Sequence, residues 1–262
     1  MEFHIPTLAP EVLFQIGSLP VTNTMVNASL ATLIFLILGI IVKRNIHLKP
    51  RSTQNFIEYF LEILFGYFDQ VTGSRKKTLR FLPIVGSVFF FILLSNWLGL
   101  LPGTGSITWG HNMLLRPANT DLNLTVAMAL VAVVSSHLFG FFTVGLFTHL
   151  NKFIQLGTLV KSFKKGPIGV FTAVIEVAVG LIEIVSELSK VLSLSLRLFG
   201  NIFAGEVLIT VISSLVGVLV PTPFMLLELL VGLIQAAVFT MLTLVYLTTM
   251  SSEPHGAHEE AH

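Results

Sequence analysis

The sequence predicts an all-α integral membrane protein with five membrane-embedded segments and one further amphipathic helix lying in the interface. Two observations carry that expectation. Hydrophobic residues make up 53% of the 262-residue chain and charged residues only 11%. An ordinary soluble domain is roughly 25% charged, so this chain has too little polar surface to face water all round. The apolar residues are also gathered into charge-free stretches at 26–42, 81–101, 122–148, 207–227 and 229–250. About 20 predominantly apolar residues cross a hydrocarbon core of ~30 Å as a helix, a length the first stretch reaches with its flanks. The net charge of +1 gives no reason to expect a nucleic-acid partner. The absence of cysteine excludes a disulfide framework, thiol catalysis and cysteine metal sites.

Residues 1–25 lack a basic start and a long apolar middle, so they read as a short outer segment and not as a cleavable leader. Next comes the first span at 26–42. Twelve of the fifteen Lys and Arg then fall in three clusters: Lys43, Arg44, Lys49, Arg51; Arg75, Lys76, Lys77, Arg80; and Lys152, Lys161, Lys164, Lys165. Basic loops stay on the cytoplasmic side. The segment 53–71, between the first two clusters, must therefore return to the side it left. Phe56, Ile57, Phe60, Leu61, Leu64, Phe65 and Phe68 recur at 3–4 residue spacing, which reads as an amphipathic helix in the interface and not a sixth crossing. Residues 81–148 form a transmembrane hairpin whose outer loop, 102–121, carries only Arg116 and Asp121 as charges. All three clusters then share one side, which places the amino terminus outside and the carboxyl terminus in the cytoplasm. The tail at 251–262, with three Glu and three His, reads as solvated and not as a metal site. The whole chain is one membrane domain.

The region 167–250 holds the chemistry. More than fifty residues of helical character precede Pro221, and at 1.5 Å per residue they would span ~80 Å. Such a helix must project inward, break, or lie steeply tilted. Glu176, Glu183, Lys190 and Arg197 are spaced by seven, drifting only ~20° per step along one face, and Glu187 falls close to the same stripe. Glu187 and Lys190 read equally well as a structural pair. Arg197 has no other charge in 194–202. An unpaired arginine at depth is costly, and Glu206 lies ~180° around the helix, so the expected partner is a carboxylate on another polypeptide. An antiparallel register centred near Gly217 would bring 197 beside 235 and 206 beside 228; a turn at Pro221–Pro223 would shift it by about five residues, somewhat more than one helical turn. Two Glu in a poorly solvated site cannot comfortably both ionise, so Glu206 and Glu228 are expected to share an exchangeable proton.

The run Ser193-Leu194-Ser195-Leu196-Arg197-Leu198-Phe199-Gly200-Asn201-Ile202-Phe203-Ala204-Gly205-Glu206 resembles the signature of the F-type ATP synthase subunit a family. Leu233-Ile234-Gln235-Ala236-Ala237-Val238-Phe239, Asp121-Leu122-Asn123-Leu124-Thr125 and Ser95-Asn96-Trp97-Leu98-Gly99-Leu100-Leu101-Pro102 extend the resemblance over most of the chain, in order. It implies that Arg197 faces a rotor ring of subunit c, that Asn201, Glu206, Glu228 and Gln235 line the ion path, and that Asp121 sits by the outer entrance. Glu183 and Ser193 would line the inner route, on the same helix as Glu187 and Lys190. Many members of the family carry a Glu/His pair where this chain has Glu206 and Glu228, and Glu206 favours a bacterial plasma (inner) membrane. The resemblance further implies a non-catalytic subunit without cofactors. Its partners would be the rotor ring, the peripheral-stalk subunit b and the lipid bilayer, with 167–250 as a long tilted hairpin beside the ring. An ion would enter one half-channel, ride the ring and leave by another, with Arg197 barring the direct route. Gly200 and Gly205 would permit close helix approach.

A secondary ion transporter with a mid-membrane Arg/Glu site is the alternative, although no internal repeat of the kind such folds carry is visible. An intramembrane hydrolase has no HExxH motif to support it, and His137 lacks a nameable partner and reads as packing or minor channel lining.

Overall fold

The computed structural model describes residues 7–47, 52–101, 107–109, 112–146, 167–216 and 220–252. The third basic cluster, the turn centred near Gly217, the side chain of Glu176 and the tail beyond Ser252 lie outside them.

Two short strands, β1 (Val12–Ile16) and β2 (Leu19–Thr22), open the described chain as an antiparallel hairpin. Its Gly17-Ser18 connection needs a positive φ, and Gly17 adopts +64°. The sequence reading gave no strand here, so the all-α expectation holds for the membrane part and misses this amino-terminal hairpin. A second small pair, β3 (Thr108–Trp109) and β4 (Asn112–Met113), lies between residues 100 and 122.

Helix α1 (Asn23–Arg44) starts where the Thr22 hydroxyl accepts a hydrogen bond from the Met25 amide at 3.3 Å. It ends on Lys43 and Arg44, which complement the negative end of the helix dipole. Helix α2 (Ser52–Thr72) turns into α3 (Arg75–Leu100) through Gly73, whose φ of +68° is the left-handed cap that ends many helices. A 3₁₀ turn, Ala118–Thr120, leads into α4 (Leu122–Val144), capped by Asp121. Helix α5 runs unbroken from Pro167 to Val216, and α6 from Pro221 to Met250.

Among the described residues, five helices (α1, α3, α4, α5 and α6) are long and apolar enough to cross a membrane, and α2 is not one of them. The protein is thus multi-pass, with α2 as the amphipathic exception. Part of the apolar face of α2 is spent on protein: Phe68 is buried against Phe81, Val85, Leu244 and Leu247. Phe56 and Tyr59, at the other end, stay exposed.

Helix α6 is central, touching α2, α3, α4 and α5. The main core lies where Phe89 and Ile92 of α3, Leu194, Leu198 and Ile202 of α5, and Ala236 and Phe239 of α6 meet Ala129 and Ala132 of α4. Lipid tails are as apolar as these side chains, so close packing and interhelical hydrogen bonds must hold the helices together. Small residues serve the first need. Gly232 of α6 faces Asn96 of α3, and a side chain on Gly99 would overlap Pro117. Buried amides serve the second: Asn119 Nδ2 donates to Ser95 Oγ at 3.1 Å and to Asn96 Oδ1 at 2.7 Å.

Candidate functional site: a polar path between the last two helices

Pro221 occupies the first turn of α6, where its missing N–H costs nothing. The turn between α5 and α6 therefore falls before Pro221, not at Pro221–Pro223. Two contacts fix the antiparallel register. Asn201 Nδ2 donates to Gln235 Oε1 at 2.8 Å. Four residues on, Gly205 is buried against Glu228, where any Cβ would overlap the carboxyl group. Gly200, by contrast, faces open space. The expected juxtaposition of 206 with 228 thus holds to within a residue. That of Arg197 with Gln235 does not, because Gln235 is engaged one turn further along by Asn201.

Arg197 is exposed, and its only hydrogen bond among the described residues reaches Ser193 Oγ at 3.4 Å, one turn back. No carboxylate pairs with it among those residues. Leu194 and Leu198, flanking it, are buried at 1% and 0%, so the guanidinium points away from the core of its own chain.

Towards the amino-terminal half of α5 the charged stripe divides. Glu187 turns inward, accepting a hydrogen bond from Lys190 Nζ at 2.5 Å and lying 3.3 Å from His137 Nε2 of α4. Lys190 also sits 5.2 Å from the ring centre of Tyr246 on α6. Glu187 and Lys190 are therefore paired, and His137, read in sequence as packing or minor channel lining, joins α4 to α5 through Glu187. Glu183 is half-buried and Ser193 exposed.

Towards the carboxyl-terminal half, a cavity of about 230 Å³ is lined by Arg116, Glu206, Thr210, Ser213 and Glu228. Arg116 is the residue that sequence reasoning missed. Its Nε donates to both oxygens of Glu206 at 2.8 and 3.0 Å, and Nη2 adds a bond at 2.9 Å. The same guanidinium donates to the carbonyls of Thr7 at 2.9 Å and Ala9 at 3.3 Å. The premise that Glu206 and Glu228 are two uncompensated neighbours is thereby corrected, since Glu206 has a buried cation of its own. An isolated Arg in an outer loop carries no sequence signal of where it will fold back.

Asp121 is buried and occupied. It accepts from the Asn123 amide at 2.9 Å and from the Thr24 hydroxyl at 3.2 Å. It caps α4 and ties it to α1, and it does not line the cavity.

The model of the family described as ATP synthase A chain matches residues 25–248. The chain belongs to that family. Among its relatives, the ATP synthase subunit a of Moorella thermoacetica is 32% identical over 238 residues, covering 91% of this chain and 94% of the relative. That of Gloeobacter violaceus is 34% identical over 248 residues, covering 94% and 90%. Membership extends over all five apolar helices, so Arg197, the Asn201–Gln235 bridge and the Glu206/Glu228 cavity all lie inside the part that the family shares.

Proposed function

We propose that the chain is the stator subunit of the membrane sector of a rotary ATP synthase, supplying two half-channels through which protons reach and leave carboxylates on a ring of subunit c. The observation that carries this reading is Arg197: exposed on a long apolar helix and without a carboxylate partner among the described residues. A permanent charge at membrane depth is costly unless a partner or water offsets it, and its outward direction calls for a partner outside this chain. An ionised ring carboxylate passing Arg197 would be stabilised in turn, and would be neutralised by a proton on either side of it. The fixed positive charge repels a cation that tries to pass directly.

On this reading the cavity between Arg116, Glu206 and Glu228 belongs to the outer half-channel, with Asn201 and Gln235 between it and Arg197. Glu183, Glu187, Lys190 and Ser193 lie along α5 towards the inner half-channel. Helices α5 and α6 lie as a tilted hairpin along the ring, and subunit b of the peripheral stalk holds the assembly still. The amino terminus lies outside a bacterial plasma membrane and the carboxyl terminus inside. ATP chemistry takes place on other subunits, and this one needs no cofactor.

The test is ATP-driven proton pumping by the reconstituted complex. Arg197→Ala abolishes it, and Arg197→Lys does not restore it, because an ammonium lacks the planar fork and can lose its proton in an apolar site. Near-normal pumping by either variant overturns the assignment. Copurification with a ring of small hairpin subunits separates this reading from a secondary transporter.

A further inference from the structure

We propose that Arg116 is a positioning residue that holds Glu206 out of ion exchange and leaves Glu228 as the carboxylate that takes up and hands on a proton in the outer cavity. The proposal rests on the stator reading and adds to it a division of labour between two carboxylates that chemistry alone would treat alike.

The argument begins with what each carboxylate touches. Glu206 receives three hydrogen bonds from a guanidinium that is itself 5% exposed. Arginine does not deprotonate in a protein, and bidentate contacts to a carboxylate are the strong kind. Moving the charge of Glu206 would leave Arg116 buried without compensation, which is the expensive way to break an ion pair. The rest of the fork is used as well, on the carbonyls of Thr7 and Ala9. Arg116 is therefore fixed from two sides, by the carboxylate of Glu206 and by the Thr7 and Ala9 carbonyls.

Glu228 is placed differently. It is 7% exposed, and its Oε1 is buried with no hydrogen-bond partner. Its neighbour on α5 is Gly205, which brings space and no polar group. On α3 the nearby donor, Trp97 Nε1, is committed to the Leu229 carbonyl at 3.1 Å. Helix α6 carries no other charged side chain between Pro221 and Met250. Among the described residues, the other charged groups bordering the cavity are thus Arg116 and Glu206, already paired, with Glu11 near Glu206. Of the two glutamates, only Glu228 can gain or lose a proton without breaking an existing ion pair.

Charge balance supplies the test. The whole complex is reconstituted in vesicles, and ATP-driven acidification is measured per assembled complex for Glu228→Gln, Glu206→Gln, Arg116→Gln, Arg116→Lys and the double variant Arg116→Gln/Glu206→Gln. Glu228→Gln loses about tenfold or more, because the exchanging group is gone. Glu206→Gln also loses about tenfold, because the freed cation of Arg116 turns on Glu228. Arg116→Gln strands Glu206 and is similarly slow, whereas Arg116→Lys, which keeps the charge, retains part of the rate. The double variant removes the pair as a neutral unit and recovers to within about threefold of the native rate, the behaviour of coupled neighbours. A purely structural role for Arg116 predicts no such recovery.

A double variant as slow as the worse single, or native pumping by Glu228→Gln, overturns the proposal. Arg197→Ala in the same vesicles separates the two levels. If it pumps, the stator reading fails; if it is inactive while the double variant stays slow, only the division of labour fails.

Discussion

Gly205 shows how much of this site depends on an atom that is absent. The Glu228 carboxyl group occupies the space in which a Cβ on Gly205 would stand. Gly205→Ala therefore forces α5 and α6 apart or swings Glu228 out of place, and overpacking of this kind costs about 1–3 kcal/mol. We expect slower ATP-driven pumping and a lower midpoint of thermal unfolding. Shortening the acid, in Gly205→Ala/Glu228→Asp, should return part of both losses. Losses that simply add would mean that the two residues do not share this space. That Arg197 finds no carboxylate among the described residues was legible at this scale, because no other charge stands near it in its own apolar run. The pairs Arg116–Glu206 and His137–Glu187 were not, since each joins residues on separate elements whose meeting depends on how helices pack. The register near residue 217 was close for 206 and 228, yet it placed Arg197, not Asn201, beside Gln235.

At the scale of elements, amphipathic spacing located α2 to within a residue at each end, and the excess of apolar residues located four of the long apolar helices. The stretch 207–227 instead straddles the end of α5 and the start of α6, because charges run along the body of α5. The β1–β2 hairpin was overlooked because strands of five and four residues give periodicity little room, although Gly17-Ser18 was an available turn signal. The elbow between α2 and α3 is held by Asp69, which accepts from Arg75 Nη1 at 2.9 Å, while Arg75 stacks 4.0 Å above the Phe65 ring. A hydrogen bond from Thr78, with the help of Arg75, holds the Asp69 carboxyl below its usual range. A depressed folded value means that this contribution is complete above the ordinary aspartate value of about 3.9 and is lost as the pH falls through the lower folded value. Hydrogen exchange at Gly73–Lys76, corrected for its intrinsic pH dependence, should therefore be slow at neutral pH and faster in acid. Asp69→Asn should be fast in both, and equal protection in the two proteins at neutral pH would remove Asp69 from this role.

The molecule as a whole is organised by where water is allowed. Among the described residues, four of the five long apolar helices were readable because partition between water and hydrocarbon acts on each stretch separately, whereas the cavity arises only when α3, the loop before α4, α5 and α6 are together. Two half-channels predict an asymmetry, since polar side chains at membrane depth are tolerated chiefly beside water or inside a bundle. The chain has no native cysteine, so single cysteines can be read without background. Those replacing Thr210 and Ser213, which line the cavity, should react with a membrane-impermeant thiol reagent from outside. Those replacing Glu183 and Ser193 should react from the cytoplasmic side. Equal reaction of both sets from both sides, with Arg197 intact, would describe one continuous pore and contradict the stator reading.

Helix α5 also has a mechanical meaning. It contains no proline after Pro167 and stays unbroken to Val216, a rod about 75 Å long at 1.5 Å per residue. On the stator reading proposed above, a ring turning past Arg197 would push on that rod sideways, and the push would have to be borne without bending. Leu194 and Leu198, on either side of Arg197, seat the rod against Phe89 and Phe239 at the point where that load would arrive. On that reading the force would pass into the main core of the bundle instead of bending a hinge. The same leucines that hide from solvent would then act as the bearing block of the machine.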